Sequence, residues 1–361
     1  IVGAGFAGAT VARLLAEQDD KKIILIDKRD HIAGNAYDSI DEENIIVQKY
    51  GPHIFHTNYE EVWDFLSRFT EWVPYEHRVR AYVDGMIVPV PINVDTVNML
   101  CNANYTEENI QEYYDSVKVD IKEIKNSKDM VVSKVGEYLY DKLIKNYTKK
   151  QWAIYPEDLE AEVTARLPVR TNRDDRYFSD KYQYMPKKGF THIFENMLDH
   201  KNIEVVLNTE FKDVKDSISY ENLIFTGPID EFFDYKYGAL PYRSLDFVFE
   251  TLNQEWYQDF TSINYPNDND FTRITEFKHF YKPQNPKTII AKEYSQDYVH
   301  GKNLPYYPIP RSQNQYLYKL YEEESKKLEK VYFLGRLAQY RYFNMDIVIK
   351  EALELYKNKL K

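Results

Sequence analysis

The chain opens on Ile1-Val2-Gly3-Ala4-Gly5-Phe6-Ala7-Gly8, a G-x-G-x-x-G run placed where a strand turns into a helix. Gly3 lets the chain turn tightly out of the strand, Gly5 lets backbone approach a pyrophosphate, and Gly8 lets the next helix pack close to a sheet. Val11, Leu14 and Leu15 then recur at helical spacing, with Arg13 and Glu17 between them. A second apolar strand, Ile23-Ile24-Leu25-Ile26, ends in Asp27. An acid at that point, about 20 residues beyond the glycines, bonds a ribose hydroxyl and repels a 2′-phosphate. The order of strand, glycines, helix, strand and acid predicts a Rossmann-like α/β unit for the ADP half of FAD or NAD. A tight βα turn without a nucleotide is the alternative.

Further along, 78–91 predicts a hairpin turning at Asp84-Gly85. Residues 95–160 read as helical. Strands are expected at 203–207, 222–225, 245–249, 272–275, 288–291 and 331–334, the middle group forming an antiparallel sheet with the hairpin. Residues 161–189 carry Arg166, Arg170, Arg173 and Arg176 with few apolar neighbours. This stretch reads as a lid over an anion or as a solvated turn. The helix starting near Asp346 presents its N-terminus to an anion or a flavin ring.

Composition narrows the partners. A net charge of −11 argues against nucleic acid or an anionic membrane surface. One cysteine, Cys101, leaves no intramolecular disulfide and no zinc cluster, and no metal site is expected. No apolar run is long enough to span a membrane, and a cytoplasmic location is expected. The 33 tyrosines supply flat apolar faces with hydroxyls, suited to bases, flavins, sugars and phosphates, although most would serve the core.

Several motifs occur in a fixed order: the opening glycines, His31-Ile32-Ala33-Gly34-Asn35, Gly51-Pro52-His53-Ile54-Phe55-His56-Thr57, Tyr147-Thr148-Lys149-Lys150-Gln151-Trp152, Arg166-Leu167-Pro168-Val169-Arg170, Thr226-Gly227-Pro228-Ile229-Asp230, Thr272-Arg273-Ile274-Thr275-Glu276, Pro305-Tyr306-Tyr307-Pro308, and Gly335-Arg336-Leu337-Ala338-Gln339-Tyr340-Arg341-Tyr342. In this order, over nearly the whole chain, the sequence resembles the bacterial UDP-galactopyranose mutases, which are flavoenzymes. The resemblance implies an isomerase that interconverts UDP-galactopyranose and UDP-galactofuranose through reduced FAD. Flavin N5 attacks the anomeric carbon, UDP leaves, and the ring reopens and recloses from a flavin–sugar iminium adduct. The product supplies galactofuranose for cell-surface glycans, and a homodimer is expected.

The resemblance also assigns residues. Arg166, Arg336 and His53 are the expected catalytic groups. Substrate contacts are expected from Tyr147, Trp152, Arg166, Tyr177, Arg273, Tyr307, Arg336, Tyr342 and Asn344. The FAD contacts are Gly3, Gly5, Phe6, Ala7, Gly8, Asp27, Lys28, Arg29, Gly34, Asn35, His53, Ile54, Phe211, Thr226, Gly227, Gly335, Arg336, Tyr342 and Met345. The expected domains are a discontinuous FAD-binding domain (1–77, 186–235, 315–361), a helical insert with substrate contacts (93–165), and an antiparallel sheet domain with a mobile arginine-bearing loop (78–92, 166–185, 236–314). Two positions depart from some relatives: Asn344 replaces an Asp, and Leu143 and Ile144 stand where an aromatic face would meet uracil. The competing readings are a flavin-dependent amine or sugar oxidase, a mutase preferring UDP-N-acetylgalactosamine, and a silent binding protein.

Overall fold

The computed structural model describes residues 1–165 and 168–361. Its nucleotide-binding half is a parallel arrangement in the order Ile203–Val206, Ile23–Ile26, the opening segment at Val2, Leu223–Phe225, Val331–Phe333. Val2 N–H donates to Ile224 O at 2.8 Å and Gly3 N–H to Ile26 O at 2.7 Å, so the opening residues lie between two strands. Helix Phe6–Gln18 follows at once and is buried along most of its length. A Cβ on Gly8 would stand 2.0 Å from Gly3 O. The glycine is what lets this helix sit so close to the turn.

Helices Phe190–Leu198 and Met345–Leu355 both pack against the first helix. Their buried side chains share one large core with the aliphatic faces of the strands. A small antiparallel sheet, Phe55–Thr57, Tyr182–Pro186 and Trp72–Pro74, covers one flank.

The larger sheet has seven strands in the order Tyr307–Pro308, Tyr242–Leu252, Thr288–Asp297, Arg273–Glu276, Ser262–Asn264, Val79–Val83, Met86–Val90. Its pairs are antiparallel except Ser262–Asn264 against Val79–Val83. The Asp84-Gly85 hairpin thus forms one edge.

Against that edge lie helices Val94–Cys101, Ile110–Val117 and Ser127–Leu139, with a separate apolar core. Asn93 caps the first of them through a capping box with Thr96, fully buried. Gly136 (φ 77°) kinks the third, and a π-helical turn, Tyr140–Lys145, leads into helix Asn146–Trp152. This kink and turn aim Leu143, Tyr147 and Trp152 at the sheet. Among the described residues, no helix is long and apolar enough to cross a membrane.

Candidate active site

Two cavities meet in the middle of the molecule. The first, of about 580 Å³, runs along the opening glycines and the C-terminal ends of the parallel strands. Gly5 caps helix Phe6–Gln18 without any side-chain bond, so the first helical N–H groups face the cavity with their positive end. Asp27 is tied down by two backbone donors, Ala4 N–H at 2.8 Å and Arg29 N–H at 2.9 Å. Its carboxylate braces the glycine turn and also lines the cavity. Arg29 donates through Nη2 to Asn35 Oδ1 at 2.7 Å, while its buried Nη1 has no acceptor among the described residues. A buried, unmatched guanidinium nitrogen beside free helix N–H groups suits a pyrophosphate.

Of the expected cofactor residues, Gly3, Gly5, Phe6, Ala7, Asp27, Lys28, Arg29, Gly34, Asn35, His53, Phe211, Thr226, Gly227, Gly335, Arg336 and Met345 line this cavity. Ile54 and Tyr342 line the second instead. Gly8 faces Gly3 O and acts through helix packing.

The second cavity, of about 790 Å³, lies between the helices, the large sheet and the loop 51–54. Tyr147, Trp152, Tyr177, Arg273, Tyr307, Arg336, Tyr342 and Asn344 all line it. Arg166 falls outside the described residues. Leu143, Ile144, Val131 and Val135 make an aliphatic wall at its helical end. Asn344 precedes helix Met345–Leu355 without capping it through its side chain and stays exposed.

The charge pattern is built for an anion. Arg273 Nη2 donates to the Tyr147 hydroxyl at 2.8 Å, and its Nε lies 3.5 Å from Glu293. Burial works against its charge, but Glu293 and the neighbouring tyrosines push its pKa well up. Burial also raises Tyr147, to about 12, so its hydroxyl stays a donor. Arg336 is fixed by Phe343 O, at 2.6 Å from Nη2, and stands over the rings of Tyr307 and Tyr342, which stack at 5.2 Å.

His53 sits between the two cavities. Its Nδ1–H donates to Gly51 O at 2.9 Å, and Gln48 brackets its backbone through both amide atoms. Burial lowers its pKa to about 4, which keeps the ring neutral. His53, Asn35, Tyr306, Arg336 and Met345 line both cavities, so whatever fills one touches what fills the other.

The arginine-rich stretch divides. Arg170 donates to the carbonyls of Asp174 and Arg176, Arg176 pairs with Asp174, and Arg173 with Asp95. Arg78 and Arg80 hold Asp175 from the hairpin. These charges secure 170–176 to the sheet edge, and only Arg170 among the three reaches the cavity wall.

Three contributors were missed in the sequence. Gln48 braces the His53 loop. Glu293 holds Arg273 from the facing strand. Asn264, nine-tenths buried in the cavity wall, has an amide oxygen without a partner among the described residues. The amide closing the apolar run Ile45-Ile46-Val47-Gln48 was the signal available for the first of them. Among the described residues, no group of His, Cys, Asp and Glu could hold a metal.

A glycine-lined cavity opening onto a cationic, tyrosine-lined one is the arrangement of an α/β enzyme whose two ligands meet, one of them anionic. Residues 1–69 match the NAD(P)-binding Rossmann-like domain profile, and residues 142–342 match that of UDP-galactopyranose mutase. The chain is 40% identical to a probable UDP-galactopyranose mutase of Klebsiella pneumoniae, over 98% of this chain and 92% of that protein. It is 39% identical to a dTDP-fucopyranose mutase of Escherichia coli, over 98% and 96%. The fold matches a crystal structure of a reduced UDP-galactopyranose mutase with TM-score 0.80 and 19% identity, over 100% of this chain and 95% of that one. The chain belongs to the UDP-galactopyranose mutase family, a family of isomerases.

Proposed function

We propose that this protein interconverts UDP-galactopyranose and UDP-galactofuranose with reduced FAD and without net redox change. The observation that carries the reading is the shared wall, where Arg336 and His53 border both cavities. Bound in the first cavity, reduced FAD would supply a nucleophilic N5 toward the anomeric carbon. The chain's own residues do the rest. Arg273 and Arg336 hold the diphosphate as negative charge grows on it, and Arg166 is assigned the same role. Fixed guanidinium forks do this without reorganising at the moment of bond cleavage. Tyr177, Tyr307 and Tyr342 add hydroxyl donors. Tyr147 receives the base against the aliphatic wall, Trp152 lines the adjoining pocket near the sugar, and Asn344 faces the sugar. His53, kept neutral, sets the edge of the flavin. The proposal keeps the three-part domain division read from the sequence. Cytoplasmic galactofuranose supply for surface glycans and a homodimeric state complete the proposal.

A second reading, a thymidine-diphosphate 6-deoxysugar as substrate, is favoured by the 39% identical dTDP-fucopyranose mutase. The test is anaerobic chromatography of UDP-galactofuranose and dTDP-fucofuranose with the purified holoprotein, with and without dithionite. Conversion of the UDP sugar only after reduction, with no stoichiometric loss of reductant, is the expected result. Conversion of the dTDP sugar alone would select the second reading. Consumption of reductant or oxygen in proportion to product would select an oxidase.

A further inference from the structure

The substrate cavity contains a histidine–carboxylate pair that the roles above do not use. His56 is the middle residue of strand Phe55–Thr57. Phe55 and Thr57 point into the core and are fully buried, which turns His56 to the other side, where it lines the substrate cavity. Its Nδ1–H donates to Asp180 Oδ2 at 2.9 Å. Asn58 Nδ2 donates to the other carboxylate oxygen at 2.7 Å, so the acid is held from both sides. The ring lies flat on Phe178, with centroids 3.6 Å apart and planes 13° from parallel. Asp346, a buried acid, faces the same ring; burial raises its pKa and His56 works against that rise.

With Nδ1–H committed to a carboxylate, Nε2 carries the lone pair of the neutral ring, and Asp180 stabilises the imidazolium that forms when Nε2 takes a proton. Neither other cavity histidine has a carboxylate partner among the described residues. His53 bonds a carbonyl, and the Tyr75 hydroxyl is 3.3 Å from His77. Burial holds these two at about 4 and about 3, as neutral rings.

The ring interconversion moves protons on and off sugar oxygens, which a positioned imidazole can carry. Between pyranose and furanose, the C1–O5 bond breaks and its electron pair stays on O5, which gains a proton. O4 then bonds C1 and loses a proton. We propose that His56 is the proton-transfer residue of this exchange, with Asp180 as its positioning residue. The proposal rests on the mutase reading. Nε2 of His56 passes a proton to O5 as the ring opens and takes one from O4 as it recloses, so each turnover returns the side chain to its starting state.

The test separates cleavage of the bond to UDP, which needs no such transfer, from ring exchange, which does. The dithionite-reduced holoenzyme and its His56→Gln and Asp180→Asn variants are given UDP-galactopyranose carrying ¹⁸O in the bridging position. Scrambling of the label reports cleavage, and chromatography reports ring exchange. In His56→Gln, ring exchange is expected to fall about 100-fold or more while scrambling stays near the parent rate and flavin stays bound. Asp180→Asn should show a smaller loss of the same kind. Ring exchange near the parent rate in both variants, or scrambling falling in step with ring exchange, would overturn the proposal. A parent protein that exchanges no ring would overturn the mutase reading itself, and this assignment with it.

Discussion

Arg336 and Arg273 show two ways of placing a charge. Arg273 has an acid, Glu293, and a tyrosine as neighbours, while Arg336 leans on carbonyl oxygens and tyrosine faces. A guanidinium held by carbonyls keeps its full charge for an incoming anion. Arg336→Ala and Arg166→Ala are each expected to abolish turnover, a loss of at least about 10²-fold, while flavin stays bound by its absorbance. Near-normal rates in both would remove the roles assigned to them. His77 makes a pH prediction. Buried, it titrates at about 3 in the fold, against about 6.5 in an unfolded chain. Between these values the unfolded state binds more protons, so stability rises with pH. His77's contribution is fully present above about 6.5 and is lost as pH falls toward 3. The urea midpoint of the apoprotein should therefore drop as pH is lowered from 6.5, and His77→Gln should flatten that drop.

Among the elements, two helix glycines do different work, Gly8 inside a regular helix and Gly136 at a kink. Gly8→Ala would drive a methyl against Gly3 O, 2.0 Å away. The first helix would have to back off the turn that presents its N–H groups, and flavin content after purification should fall sharply. Gly136 combines φ 77° with a would-be Cβ 2.5 Å from Val117 O. Gly136→Ala should cost about 1–3 kcal/mol from backbone strain alone, read from urea unfolding. It should also weaken UDP binding, because the bend aims the π-helical turn carrying Leu143. An unchanged unfolding midpoint would mean that the helix tolerates another path.

For the whole molecule, the shared wall couples the two ligands. FAD should stabilise the fold by about 2.7 kcal/mol at a hundredfold excess over its Kd, so that the thermal midpoint rises with FAD concentration. UDP should then bind the holoprotein more tightly than the apoprotein, as calorimetry would measure. Equal affinities would mean that the cavities do not communicate. The α/β class, the opening βαβ unit and the hairpin were legible because they rest on local signals: glycine spacing, periodicity and a turn dipeptide. By itself the sequence determined where backbone bends without a Cβ and which strands are apolar, since both follow from neighbouring residues. The motif order pointed to the family. Only the tertiary structure decided that Arg336 and His53 border two cavities at once, that Glu293 lies beside Arg273, that Arg173 is spent on Asp95 and Arg176 reaches Glu76, and that His56 meets Asp180 across 124 positions. Each of these depends on which distant strands pair and in what register, and side-chain charge acts across a few ångströms of space without regard to separation along the chain.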